Sequence, residues 1–181
     1  MTALQAIGRR RSHPKVTADT PTHEQLLPLV AAAGTVADHS SLRPWRLIEL
    51  RGGIRERLGA AMVVASGLDD ESGARVAAKP LRAELLIAVV VVHKPSIKVA
   101  DWEQDATAAG VAHTLSLLLD EAGWGVIWRT GHLTRSEPVR RVHELAHNEE
   151  LLGWLYVGGK LEDAVEGSAN RIRPEDFLSA L

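Results

Sequence analysis

Two stretches of this 181-residue chain hold side chains whose types and spacing suit chemistry. In the first, His143 and His147 stand four residues apart with Glu144 between them, an H-E-x-x-H pattern. On a helix, the two histidines would share a face and could bind zinc, with the glutamate as general base. A third ligand would come from an acidic residue further on: Glu162, Asp163 or Glu166. The simpler interpretation is an amphipathic surface helix with two solvated histidines, since the chain holds eight histidines.

The second stretch of interest is cationic and hydroxylic. The segment Arg10–Ser12 offers two guanidinium groups and a hydroxyl in one loop, which can form charge-assisted hydrogen bonds to a terminal phosphate. Arg129 and Thr130 form a similar set beside Trp128, after a glycine-rich turn. Phosphate at one end and an apolar slot at the other would suit a phosphorylated flat cofactor. The arginines at positions 9–11 also fit a solvated helix end, where cations complement the helix dipole.

Hydrophobic periodicity predicts the elements that must position these residues. Thr22 and Gln25 form a capping-box pattern that begins a helix ending near Gly34. Thr134 and Glu137 form a second such pattern, which predicts a helix running to about residue 147. Other helices are predicted over residues 2–11, 54–65 and 101–122. Strands are predicted over residues 45–50, 85–93, 125–129 and 154–157.

The predicted strand over residues 85–93 is apolar on both faces, which places it in the middle of a covered sheet. The predicted helix over residues 101–122 is apolar almost all round and is expected to be central and buried, with Gly123 as its C-terminal cap. Strands and helices mix without a regular βαβ alternation. This order favours an α+β fold over a doubly wound sheet.

Composition excludes several classes of protein. The length fits one domain spanning residues 1–181, and the net charge of −2 leaves no basic excess for nucleic-acid binding. The chain has no cysteine, so disulfides and thiolate chemistry are excluded. The longest apolar stretch, Leu85–Val92, is too short to span a bilayer, and no apolar signal-peptide core precedes Arg9. A cytoplasmic location without membrane partners is therefore expected.

Taken in order, several motifs resemble the flavin-dependent nitroreductase family, in particular its short bacterial members. The resemblance rests on the R-R-S of Arg10–Ser12, on the Pro44–Trp45 pair that opens a strand, and on the G-x-G-x-x-W-R-T-G of Gly123–Gly131. Two further segments match the family: Trp102–Asp105 and Trp154–Gly158. The similarity runs from Leu4 to about Gly158, which is most of the chain.

The resemblance implies an FMN-binding homodimer with a central, mainly antiparallel sheet flanked by helices. Its two active sites would lie at the subunit interface, each built from both chains. Three groups match positions that contact FMN in the family: the phosphate-binding Arg10, Arg11 and Ser12; Thr35 and His39; and Trp128, Arg129 and Thr130. One further stretch matches a nicotinamide-nucleotide segment: Leu118, Leu119, Asp120, Glu121, Ala122 and Gly123.

The resemblance also implies an activity. NADH or NADPH would reduce FMN, and a nitroaromatic, quinone-like or related small acceptor would then take the electrons in a ping-pong mechanism. The flavin carries such chemistry, so no side chain is expected to act as general acid or base. Arg129 is expected to stabilise negative charge on the reduced ring. Two alternatives remain open: a non-catalytic flavin-binding or storage protein, and a zinc hydrolase using His143, Glu144 and His147.

Overall fold

A four-stranded antiparallel sheet forms the centre of the computed structural model, which describes residues 2–164 and 172–180. The strands are β1 (Trp45–Arg51), β2 (Leu85–Val92), β3 (Trp124–Arg129) and β4 (Glu149–Gly159), in the order β1-β2-β4-β3. Within those residues the α-helices are α1 (Ala3–Arg9), α2 (His23–Ala33), α3 (Gly53–Ser66), α4 (Asp70–Ala77), α5 (Asp101–Glu121) and α6 (Glu137–Val142). The predicted α+β class and antiparallel sheet are confirmed.

Strand β2 lies inside the sheet, and no residue from Leu85 to Val91 is more than 2% exposed. Alternate side chains of this strand enter two different cores. One core joins β2 to helices α3 and α6 through Leu86, Ala88, Val90, Leu58, Met62 and Val139. The other joins β2 to helices α2 and α5 through Leu85, Ile87, Val89, Leu26, Leu115 and Leu119. The prediction of a strand covered on both faces is therefore confirmed.

Helix α5 is buried on one side only. Val111, Leu115 and Leu119 have no exposed surface, whereas Trp102 is 70% exposed and His113 is also exposed. The prediction of burial almost all round is therefore wrong for the side of α5 that carries Trp102 and His113. The end of the helix is as predicted: Gly123 follows it with a φ of +91°, a conformation that side-chain-bearing residues avoid.

The region before β4 differs from the prediction. The Thr134–Glu137 capping box does not form, because the Thr134 hydroxyl donates to the Gly131 carbonyl at 2.8 Å and Ser136 occupies the N-cap position. Helix α6 ends at Val142, and the backbone turns at Glu144 with a φ of +51°. Strand β4 begins at residue 149, five residues earlier than predicted.

The segment after α1 packs against the ends of β3 and β4. The His13 amide donates to the Val126 carbonyl at 2.9 Å, and the Thr17 amide donates to the Gly159 carbonyl at 2.9 Å. A Cβ on Gly158 would lie 2.7 Å from a methyl group of Val16, so the absent side chain leaves the space that Val16 fills. These contacts hold the preceding Arg10–Ser12 segment beside β3. None of the described helices combines the length and apolarity needed to cross a membrane.

Candidate functional site

A cavity of about 430 Å³ opens beside the edge strand β3, on the sheet face that packs against α3. This volume is in the range of small-molecule sites. Part of its wall is apolar or aromatic, formed by Met62, Ile127, Leu133, Trp154 and Tyr156. The rest comes from the segment Trp128–Gly131 and from the cationic or titratable side chains of Lys79, Arg82 and His132. The cavity thus contains the predicted residues Trp128, Arg129 and Thr130.

The two-residue repeat of a strand directs Trp128 and Arg129 to opposite faces of the sheet. Arg129 shares its face with Tyr156, and its guanidinium carbon lies 5.4 Å from the centroid of that ring, a cation–π contact. The Nε atom of Arg129 is buried and has no hydrogen-bond partner within the described part of the chain. A buried donor without an acceptor is costly, so this atom marks a place where a ligand oxygen or nitrogen fits.

Trp128 points toward α5. Its ring meets the His113 ring edge to face, with centroids 5.0 Å apart and planes at 83°. The indole Nε1 of Trp128 is a second buried donor that lacks an acceptor among the described residues. The segment Trp128–Thr130 therefore presents unsatisfied donors on both sides of β3.

The cavity is positively charged. Its lining includes Lys79, Arg82 and Arg129 but no carboxylate, and none of these three cations forms an ion pair in residues 2–164 or 172–180. Burial raises the pKa of Tyr156, while Arg129 and Arg82 act in the opposite direction. The phenol is therefore a neutral hydroxyl near pH 7. Such a potential favours an anionic or electron-rich ligand.

The predicted phosphate-binding segment lies outside this cavity. Arg11 and Ser12 line a smaller hollow of about 260 Å³ with His13, Lys15 and Leu161. Arg10 lines another hollow of about 270 Å³ on α5, together with His113, the residue that contacts Trp128. His113 thus lines a hollow together with Arg10 and also contacts Trp128. Neither Arg10 nor Arg11 forms an ion pair with a described residue.

The stretch from Leu118 to Gly123 ends α5, and much of it is engaged within the protein. Leu119 is buried in the core. Asp120 is also buried, accepts from the Lys160 ammonium at 2.9 Å and lies 3.6 Å from the His13 imidazole. Burial, with Lys160 next, lowers the pKa of His13. Glu121 binds Arg9 at 2.8 Å. These contacts fix the N-terminal segment to α5. The assignment of residues 118–123 to the nicotinamide nucleotide stays a prediction.

Thr35 and His39 occupy a separate part of the chain. The Thr35 hydroxyl donates to the Ala32 carbonyl at 2.8 Å, and the His39 imidazole lies 2.8 Å from the Glu103 carboxylate. His39 and Trp102 line a hollow of about 430 Å³ between the loop after α2 and the start of α5. Neither Thr35 nor His39 lines the cavity beside β3. The predicted flavin-contacting residues of one chain therefore lie on several separate surfaces.

The zinc interpretation of the H-E-x-x-H pattern is wrong, and so is the solvated interpretation of His143. His143 is 3% exposed; its Nδ1 donates to the Val139 carbonyl at 2.8 Å, and its Nε2 accepts the Trp154 indole N–H at 2.9 Å. Both ring nitrogens are used inside the protein, and the residues from 143 to 147 are not helical. No three His, Asp or Glu side chains form a metal site in the described ranges; Glu166 lies outside them.

Sequence reasoning missed several lining residues: Lys79, Arg82, His132 and Tyr156. Lys79 and Arg82 are three residues apart in a 3₁₀ turn just before β2. Their spacing in a short cationic turn was the available signal, but nothing local shows which cavity the turn faces. Tyr156 reaches the site because β3 and β4 pair with Ile127 opposite Tyr156.

The antiparallel sheet with helices on both faces, and a cationic and aromatic cavity at its edge strand, define an α+β protein with a candidate small-molecule site. The family model described as "Nitroreductase family" matches residues 7–159. The chain belongs to the nitroreductase family, and the resemblance inferred from its motifs is confirmed.

Relatives agree with this assignment. Two of them bear the name "Putative NAD(P)H nitroreductase". The first, YdjA of Escherichia coli K12, is 34% identical over 161 residues, which cover 87% of this chain and 88% of its own. The Haemophilus influenzae protein is 28% identical over 185 residues, covering both chains fully.

Solved structures show the same fold. A nitroreductase-like family protein from Bacillus cereus has a TM-score of 0.86 at 20% identity, over 100% of this chain and 96% of its own. NfnB of sphigopyxis sp. strain HMH, described as an FMN and NADPH-dependent nitroreductase, has a TM-score of 0.77 at 17% identity, over 100% and 99%.

Proposed function

We propose that this protein is an FMN-dependent oxidoreductase that uses NADH or NADPH to reduce nitroaromatic, quinone-like or related small acceptors. Membership of the nitroreductase family and the descriptions of its relatives support the NAD(P)H and FMN requirement. The observation that carries the proposal is the cavity beside β3, where Trp128, Arg129 and Thr130 meet an aromatic wall and a cluster of cations. A cytoplasmic location stays a prediction.

The residues of the cavity fit a flavin. Arg129 Nε is a buried donor without a described acceptor on the cavity face of the sheet, and a flavin ring offers carbonyl oxygens and ring nitrogens that accept hydrogen bonds. Trp154 and Met62 supply an apolar wall suited to the flat ring. Arg10, Arg11 and Ser12 would hold the phosphate from the neighbouring edge of β3. When bound, FMN would supply the hydride and electron transfer between the nucleotide and the acceptor.

The protein's own contribution is electrostatic and steric. Arg129 places positive charge where negative charge develops on reduction, and it does so from a half-buried position where the interaction is weakly screened. The buried Trp154 and Tyr156 limit water on one side of the cavity. Among the residues that the structure describes, no lining carboxylate competes for the Arg129 guanidinium. We therefore assign Arg129 the main role in stabilising the reduced state.

We expect the Arg129→Ala variant to lose about 10²-fold in the rate of flavin reduction, since removing one preorganised donor from a developing anion costs about that much. The measurement is anaerobic bleaching of the flavin absorption after NADH or NADPH is added. Arg57→Ala removes an exposed arginine outside the cavity and is the matched control. An Arg129→Ala protein that keeps its flavin and its rate would refute the role. Wild-type flavin that never bleaches would instead support the storage protein.

We further propose a homodimer whose two active sites each draw on both chains. Two observations support this arrangement: Thr35 and His39 lie away from the cavity beside β3, and the exposed side of α5 carries Trp102 next to His39. A large exposed aromatic side chain beside a hollow is typical of a protein–protein contact. A second copy docked through this surface would bring its His39 to the flavin.

Subunit mixing tests this arrangement. We expect His39→Ala and Arg129→Ala homodimers each to be impaired, and a mixed dimer of the two variants to recover about half of the wild-type rate, because one of its two sites is intact. The two chains would be co-expressed with different affinity tags and purified through both. A mixed dimer no more active than the average of its parents would show that both residues serve a site within one chain.

A further inference from the structure

The cavity beside β3 concentrates positive charge that the composition does not explain. The chain has 21 basic and 23 acidic residues, yet Lys79, Arg82 and Arg129 line one cavity to which no described residue contributes a carboxylate. Ten other basic residues are paired with carboxylates: Arg9, Arg46, Arg51, Arg55, Arg75, Arg135, Arg140, Arg141, Lys160 and Arg173. Seven more form no ion pair in the described ranges, but none of them lines this cavity: Arg10, Arg11, Lys15, Arg43, Arg57, Lys94 and Lys98. Lys79, Arg82 and Arg129 have no such partner among the residues described. The three like charges repel one another unless an anion joins them.

The surrounding structure holds the neighbouring carboxylate of Glu84 away from Arg82. The carboxylate nearest to it along the chain is Glu84, which is bound by Arg55, and Arg55 also donates to the Ala83 carbonyl at 2.7 Å. The Arg55 side chain is itself buried, so this pair is not exchanged easily for a contact between Glu84 and Arg82. The turn that carries Lys79 and Arg82 is anchored by the buried Pro80. Both cations are thus presented at the mouth of the cavity from a fixed backbone.

In the proposed binding mode, other residues hold the cofactor. Its phosphate is assigned to Arg10, Arg11 and Ser12, which lie outside the cavity and whose guanidinium groups are unpaired in the described structure. The ring is assigned to the segment Trp128–Thr130, which already includes Arg129. Lys79 and Arg82 remain at the exposed mouth, where a second substrate would enter.

We infer that the electron acceptor of this enzyme carries a carboxylate, and that Lys79 and Arg82 bind that group while the reducible group lies deeper, toward the half-buried Arg129. The inference rests on the proposed function and specifies its substrate class. A guanidinium fork matches the two oxygens of a carboxylate, and the nearby lysine adds a compact point charge. For a nitroaromatic acid the first reduction balances as ArNO2 + NADH + H+ → ArNO + NAD+ + H2O, and its carboxylate is unchanged.

The test compares two acceptors that differ in charge and little in shape, 4-nitrobenzoate and 4-nitrobenzamide. We expect the flavin-loaded wild-type protein to favour the benzoate by about tenfold in kcat/KM, and the Lys79→Gln/Arg82→Gln variant to bring the ratio near one. Because the comparison uses the benzoate/benzamide ratio of kcat/KM, any effect of the substitutions that is common to both acceptors cancels. The control variant is Arg57→Gln/Lys98→Gln, which removes the same charge from exposed positions outside the cavity and should keep the wild-type ratio.

A binding measurement gives a readout that does not depend on turnover. Titration of the oxidised, flavin-loaded protein with benzoate or benzamide, followed by the flavin difference spectrum, should show the same tenfold preference and its loss in the double variant. Added salt should weaken benzoate binding more than benzamide binding, because the contact is between charges at an exposed mouth.

Several results would overturn the inference. Equal use of the two acceptors by the wild-type protein would do so, as would loss of FMN from the double variant, which would assign the cations to the cofactor. A fall in the NADPH/NADH preference at an unchanged benzoate/benzamide ratio would assign them to the 2′-phosphate of NADPH. Failure of the proposed function is a different result: a flavin that neither nucleotide bleaches and neither nitro compound reoxidises.

Discussion

The Gly153→Ala variant is expected to lose about 3 kcal/mol of folding free energy and to bind FMN more weakly than the wild type. Gly153 lies in β4 where the pairing with β2 shifts register, and its φ is +139°, a region that alanine avoids. A Cβ at this position would overlap the Arg129 carbonyl oxygen and would lie 2.9 Å from Trp128 Nε1. The overlapped atom belongs to the backbone of β3, so no side-chain rotation relieves the contact.

The atoms that the new Cβ would overlap also belong to the candidate active site. A Cβ on Gly153 would also lie 3.1 Å from the Thr130 side chain, so all three residues of the predicted flavin-contacting segment surround one glycine. Displacing β3 outward to relieve the overlap would move that segment relative to Trp154 and Tyr156. We therefore expect the loss of stability and the loss of flavin affinity to occur together.

Urea unfolding and equilibrium FMN titration measure these two effects. Gly53→Ala is the matched control, because no atom lies within 4 Å of the position of its Cβ and the residue starts α3. The control should be neutral or gain a few tenths of a kcal/mol, up to about 1 kcal/mol, from the better helix propensity of alanine. If the two variants unfold at the same urea concentration, the register shift at Gly153 does not have the described close contacts with β3.

Local patterns predicted the elements whose signals lie within a few residues. The apolar stretch of β2, the capping box formed by Thr22 and Gln25, and the end of α5 at Gly123 are all confirmed. The Thr134–Glu137 pattern failed because Thr134 instead satisfies the Gly131 carbonyl within a tight 3₁₀ turn. A local capping signal therefore has predictive value only where no competing turn uses the same hydroxyl.

The candidate site was less predictable than the fold, because its parts are joined by strand pairing. The resemblance identified the segment Trp128–Thr130, but the cations of the turn before β2 and the ring of Tyr156 become neighbours only through the register of β3, β4 and β2. The exposed side of α5 escaped prediction for a related reason. Apolar and small residues there match a buried core as well as a surface that a second chain covers.

The second large effect on folding stability is expected for substitution of His143. Replacing it with alanine should cost about 3 kcal/mol, because the change leaves a cavity in the core and removes the acceptor of the buried Trp154 N–H. The exposed His147 is the matched control, and His147→Ala should change the unfolding free energy by less than about 0.5 kcal/mol. Equal, small losses in the two variants would contradict the buried hydrogen bonds.

The titration of His143 adds a pH dependence whose sign is fixed. Burial, the largest cause, lowers the pKa of His143, and the charge of Arg46 acts in the same direction, while the hydrogen bond to Val139 opposes them. Between the folded and unfolded pKa values the unfolded chain binds more protons, so stability rises with pH there. The contribution is fully present above the unfolded value of about 6.5 and is lost as the pH falls toward the folded value.

The His143→Gln variant isolates this contribution. A glutamine amide can accept from the Trp154 indole but does not titrate, so its unfolding free energy should fall less than that of the wild type between pH 7.5 and 5. His13 also has a pKa lowered by burial and contributes with the same sign in both proteins, so the difference between them reports His143. Parallel stability curves for the two proteins would mean that His143 keeps its ordinary pKa. Because Trp154 lines the cavity, the wild-type protein should also bind FMN less tightly where protonation of His143 breaks the indole hydrogen bond.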